Sequence, residues 1–180
     1  GMATSGIGLL LLGHTSTLTS PYWLLALSLA VLAGGAGLTM APSTSSIMSS
    51  VPQEKAGVGS AMNDTTRELG GALGIAILGS VLATNYRNSI ASSLGDMPAD
   101  LAGRISSSLG EALRLAPQIG PGAPDVINAA RNAYLDGMTA ALTVGGCAAI
   151  VGAIAVWVIL PHVNHEQSHG EQMRSDVLAH

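Results

Sequence analysis

Apolar residues in this chain gather into long runs that no charge interrupts. No Asp, Glu, Lys or Arg occurs before Glu54, and further uncharged stretches cover residues 69–86 and 137–165. A helix crosses a hydrocarbon core with about 20 mainly apolar residues. The pattern therefore predicts membrane-spanning helices over residues 22–49, 58–86 and 134–160. Residues 1–13 are apolar as well but too few for a crossing, and they read as the end of a truncated transmembrane helix. Tyr22, Trp23, Tyr86, Tyr134 and Trp157 stand at the ends of these runs, where amphipathic rings are expected at headgroup depth. The predicted fold class is all-α, a polytopic membrane helical bundle.

The connections differ in kind. His14 to Pro21 is short, polar and uncharged, and reads as a tight loop. Residues 50–57 hold a short charged turn, VPQEKAG, around Pro52. Residues 87–133 are too long for a simple turn. Within them Leu101, Ile105, Leu109 and Leu113 recur every four residues, which predicts one short amphipathic helix. Pro117, Pro121 and Pro124 are expected to break it, with Pro124-Asp125 opening the next helix. Residues 161–180 form a polar tail.

Composition narrows the function classes. The chain is 48% hydrophobic and 10% charged, against about 25% charged in soluble domains. A net charge of −4 and the absence of Phe argue against a nucleic-acid partner. Cys147 is the single cysteine, so neither a disulfide framework nor a cysteine metal site is expected, and it reads as a packing residue. His162, His165 and His169 lie in the tail without acidic or cysteine partners, and no metal or cofactor is expected. No Ser/His/Asp, HExxH, GxSxG or P-loop pattern occurs, so the chain is not expected to be an enzyme. Lys55 and Arg174 would share one side of the membrane, with Arg87, Arg104, Arg114 and Arg131 on the other. The positive-inside rule weighs short loops, so charge alone leaves the orientation open.

The informative chemistry opens the second span. Asn63, Asp64, Arg67 and Glu68 fan over an arc of roughly 140° on one helix face at about 100° per residue. Gly70, Gly71 and Gly74 fall within or beside that arc, while Met62, Leu69 and Leu73 point away. Small residues admit a neighbouring backbone and polar ones need partners, so this face is expected to look into a bundle. Asp64 and Arg67 are expected to pair. From Glu68 to Tyr86 is about 27 Å of helix, which puts the cluster near a membrane boundary. Three readings stay open: a polar gate, a proton- or substrate-coupling site, and a boundary cluster that snorkels. In the first span, Gly34, Gly35 and Gly37 with Pro42 are candidate packing or hinge positions.

The stretch GGAGLTMAPSTSSIMSSVPQEKAGVGSAMNDTTRELGGALGIAILGSVLATNY resembles the penultimate region of the fourteen-span drug/proton antiporters of the major facilitator superfamily. Its specific part is AGVGSAMNDTTRELGGALGIAILGS, and Tyr134-Leu-Asp-Gly-Met is similar to the start of that family's last helix. The resemblance runs over about residues 1–160. It implies the C-terminal portion of a major facilitator fold, with residues 50–57 cytoplasmic, 87–133 extracytoplasmic and 161–180 a cytoplasmic tail. It further implies a multi-pass protein of the inner (plasma) membrane, a proton-coupled exporter of hydrophobic or cationic small molecules. Its partners would be the lipid bilayer, protons, substrate and the missing N-terminal helices. The alternative is a small membrane-embedded scaffold or accessory protein with no transport of its own.

Overall fold

A computed structural model describes residues 1–95 and 97–159. Six helices make up nearly all of it: α1 (Met2–Thr15), α2 (Tyr22–Ser49), α3 (Ala56–Ala91), α4 (Ala99–Ile105), α5 (Leu109–Ile119) and α6 (Ala123–Ile159). Two single turns of 3-10 helix, Gln53–Lys55 and Gly120–Gly122, join α2 to α3 and α5 to α6. The protein is an all-helical membrane bundle. Its three long apolar segments reach mean hydropathies of 2.0, 1.4 and 2.3, and each is long enough to cross a membrane.

Local chemistry sets the breaks. Val51 precedes Pro52, whose ring disfavours helical backbone before it, and α2 stops at Ser49. Pro21 caps α2 with a fixed φ of −66°. Gly120 ends α5 with φ 73°, a left-handed conformation that glycine adopts without strain.

Packing arranges the long helices in the order α2, α1, α6, α3. Glycines allow the close crossings. A methyl group added at Gly8 would lie 2.6 Å from the Leu32 nitrogen, and one at Gly6 would lie 2.9 Å from the Gly146 carbonyl oxygen. At Gly137 an added methyl would lie 2.7 Å from the Leu82 carbonyl oxygen, so α6 and α3 meet backbone to backbone. α2 and α3 touch along one short stretch only.

Beyond Gly137 the end of α3, α4, α5 and the start of α6 form a compact helical cap. Ile90, Ile105, Ala112 and Ala130 are fully buried in it, with Leu115 and Val126 beside them. Tyr86 is buried there as well, and its hydroxyl donates to the Ile105 carbonyl at 3.0 Å. On the cap surface Glu111 accepts from Arg114 at 2.7 Å and from Arg104 at 2.8 Å, which fastens α4 to α5. The Arg114 and Arg104 guanidinium groups hold the Glu111 carboxyl down at about 2.

Several expectations need correcting. Helix α3 continues past Tyr86 to Ala91, and the helix expected to open at Pro124-Asp125 starts at Ala123 and runs without a break into the last span, so both ends of the 87–133 insert continue its neighbours. Tyr86 points into the cap instead of out to a headgroup belt; Tyr22, Trp23 and Trp157 do face outward. The stripe from Leu101 to Leu113 belongs to two helices, because the Ser108 hydroxyl accepts from the Glu111 N–H and starts a new one. Pro117 does not break α5, which runs through it to Ile119. Cys147 is exposed on α6 rather than packed. The tail, its three histidines and Leu160 lie outside the described residues.

Candidate functional site

The charged cluster sits in the first half of α3, on the part of that helix with few neighbours. Asp64, Arg67, Glu68 and Gly71 line an open groove of about 520 Å3. Asn63 and Arg67 turn toward α2 and close a second, smaller cleft of about 210 Å3 with Thr39, Met40, Ser43 and Thr44. Arg67 is the residue common to both spaces.

The expected Asp64–Arg67 pair is not made. The Arg67 Nη2 instead lies 4.0 Å from the Met40 sulfur on α2. The physical reason is reach: an exposed i,i+3 ion pair is worth well under about 1 kcal/mol, too little to hold a long side chain that has a neighbouring helix to lie against. Asp64 and Glu68 are left exposed, with neither in an ion pair among the described residues.

Hydroxyl groups around the two spaces are turned into their own helices. Thr39 donates to the Gly35 carbonyl at 2.9 Å and Ser43 to the Thr39 carbonyl at 2.7 Å. Their protons are spent, so toward the clefts these side chains offer lone pairs. Around Pro42 such back-bonding comes with a proline that cannot donate to the Leu38 carbonyl, which weakens the helix ladder there.

The glycines divide. Gly35 is buried against Ser5 of α1. Gly34, Gly37, Gly70, Gly71 and Gly74 have open space where a side chain would stand. Sequence reasoning missed the α2 side of the site: Met40 with Thr44, and Thr39 with Ser43, each recur at helical spacing beside Pro42, and that spacing was the available signal. Among the described residues no three metal-ligating side chains come together.

The arrangement defines a helical membrane protein with an acidic groove and a bridging arginine on one arm. The chain is similar to a resistance protein and to an efflux pump. Over 161 residues the chain is 34% identical to the methyl viologen resistance protein SmvA of Salmonella typhimurium, in strains 14028s and LT2 alike, covering 89% of this chain and 32% of that protein. Over 135 residues it is 33% identical to the multidrug efflux pump LfrA of Mycolicibacterium smegmatis, covering 69% of this chain and 26% of that one. The chain thus spans between about a quarter and a third of the length of the curated relatives it matches. No protein-family model and no solved structure matches it.

Proposed function

We propose that the chain is the C-terminal portion of a proton-coupled secondary transporter, a fourteen-span drug/proton antiporter of the major facilitator superfamily. It exports hydrophobic or cationic small molecules across the inner (plasma) membrane by alternating access. The names of its relatives, methyl viologen resistance and multidrug efflux, support this reading. On this reading residues 50–57 are cytoplasmic and the cap lies outside. Such transporters rock two helical halves about a midplane site, so the N-terminal helices are the partners that cover α2 and the first half of α3.

One observation carries the mechanism: Arg67 leans on Met40 and leaves Asp64 and Glu68 unpaired in an open groove. An unpaired carboxylate that a closing helix desolvates binds a proton more readily than one paired with arginine. Asp64 is therefore the proton-carrying candidate, with Glu68 beside it. Arg67 closes the α2–α3 cleft in one access state and leaves it in the other, which biases the equilibrium without touching cargo.

The test is substitution in the full-length protein, with efflux and substrate binding measured for chemically unrelated substrates. Arg67→Ala is expected to depress efflux of all of them by similar factors while leaving affinity nearly unchanged. Loss of one substrate with another spared would move Arg67 into the binding cavity. Asp64→Asn is expected to keep downhill flux and lose proton coupling. Proteoliposomes holding residues 1–180 alone are expected to show no proton-driven dye efflux.

A further inference from the structure

We propose that a second pocket, between the C-terminal end of α1 and the cap-side turns of α6, binds an ammonium group at the membrane surface. The pocket holds about 490 Å3, and its polar walls come from His14, Thr17 and Thr19 on one side and Asn132, Asp136 and Thr139 on the other. That volume falls within the range of about 300–1,000 Å3 typical of small-molecule sites.

The walls are held in place before any ligand arrives. Thr139 donates its hydroxyl to the Gly13 carbonyl at 2.9 Å, pinning α6 to α1. In the loop, the Ser20 hydroxyl accepts from the Thr17 N–H at 2.7 Å, bonds the Thr17 hydroxyl at 2.7 Å and donates to the Thr15 carbonyl. Asn132, Asp136 and Thr139 are spaced to share one face of α6.

The chemistry of the walls selects the ligand. Asp136 forms no ion pair among the described residues, and no lysine or arginine lines the pocket. His14 places Nδ1 2.9 Å from the Leu10 carbonyl, which can only accept, so Nδ1 donates and it is Nε2 that offers a lone pair whenever the ring is uncharged. The last carbonyls of α1 add negative partial charge at the same end. A carboxylate, an imidazole lone pair and hydroxyl oxygens suit a cation that donates several N–H bonds. With one carboxylate and one imidazole, the pocket lacks the three His, Cys, Asp or Glu ligands of a typical zinc site.

Position says where that cation comes from. Asp136 is the last charged residue before the uncharged run 137–165, and Tyr22 and Trp23 face outward just beyond the same loop. The pocket mouth therefore lies at headgroup depth. A primary amine reaches it either as the headgroup of a phosphatidylethanolamine-type lipid or as a dissolved organic cation. Neither source depends on the transport reading.

The test uses the full chain carrying Leu18→Cys and Cys147→Ala, reconstituted in vesicles and labelled with a membrane-impermeant maleimide; Leu18 is exposed at the pocket and supplies none of its polar groups. Vesicles rich in phosphatidylethanolamine, or phosphatidylcholine vesicles with added ethanolamine, are compared with phosphatidylcholine alone. At about ten times the dissociation constant, an occupied pocket slows labelling roughly tenfold. Slowing by the lipid alone assigns the headgroup, and slowing by ethanolamine assigns the dissolved cation. In Asp136→Asn the protection is expected to vanish, with the unprotected rate unchanged, which separates lost binding from lost folding. No slowing in either arm, or protection that survives Asp136→Asn, overturns the proposal.

Discussion

At its cap end α3 buries Tyr86 to 2% and Ile90 to 0% of their surface, while nearer its start Leu69, Leu73 and Ile75 stay at least 60% exposed. Both stretches belong to one helix. On the proposed topology the cap stands in water, so apolar side chains from α3, α4, α5 and α6 converge on a common core, with Leu113 still 41% exposed at its surface. In the spans the surroundings are already apolar, and burial against another helix adds little hydrophobic drive. There, contact is set by glycine-permitted backbone approach: close at Gly137, absent at Gly70, Gly71 and Gly74. A bare apolar surface on α3 is thus an unfilled contact or a lipid face, whereas a contiguous patch of the same extent on the cap would be a fault.

Truncating side chains should break this comparison most sharply. Leu115→Ala in the cap is expected to cost about 2–5 kcal/mol, since it opens a cavity in a closed core. Leu73→Ala, exposed on α3, is expected to stay within about 0.5 kcal/mol. Denaturant unfolding in detergent, followed by helix signal, measures both, and equal costs would erase the distinction. Glycine replacements come next. Gly137→Ala is expected to destabilise by about 1–3 kcal/mol through overpacking on Leu82, while Gly71→Ala in residues 1–180 alone should stabilise by about 0.5–1 kcal/mol. Tyr86→Phe removes the hydrogen bond to Ile105 and should cost about 1 kcal/mol by the same assay.

The smallest effect concerns acid. Glu111 titrates at about 2 in the folded cap against an ordinary value of 4.5. A depressed carboxyl stabilises the fold above the unfolded value and loses that contribution as pH falls from about 4.5 toward 2. Because the Arg104–Glu111–Arg114 network is surface-exposed, its share is small and salt-sensitive. Thermal scans of Glu111→Gln should match the parent near pH 2 and fall slightly below it at pH 7.

How far the sequence could be read follows from the same division. Spans were legible because lipid forbids charge, and Glu54, Glu68, Arg87 and Asp136 bracket the runs without ambiguity. The cap was only half legible. Its four-residue stripe was visible, yet Ser108 with Glu111 three positions on, a helix-starting pair, marks the break the stripe concealed. Helix α6 outruns its apolar stretch back to Ala123, a start that hydropathy does not carry and that Pro124-Asp125 marks instead. That Asp64, Arg67 and Glu68 lie along one groove with Gly71 was legible in their helical spacing. The partner of Arg67 was not, since Met40 lies on another helix and no spacing within α3 could name it.

Helix α3 is fastened at one end and loose at the other, and that makes it a lever. Tyr86 and the Gly137 crossing act as the fulcrum. From Tyr86 back to Asp64 the arm is about 33 Å long. A tilt of about 5° at the fulcrum sweeps Asp64 sideways by about 3 Å over that arm, the length of a hydrogen bond. Small rotations beside the cap are thereby magnified into the making or breaking of polar contacts at the far end.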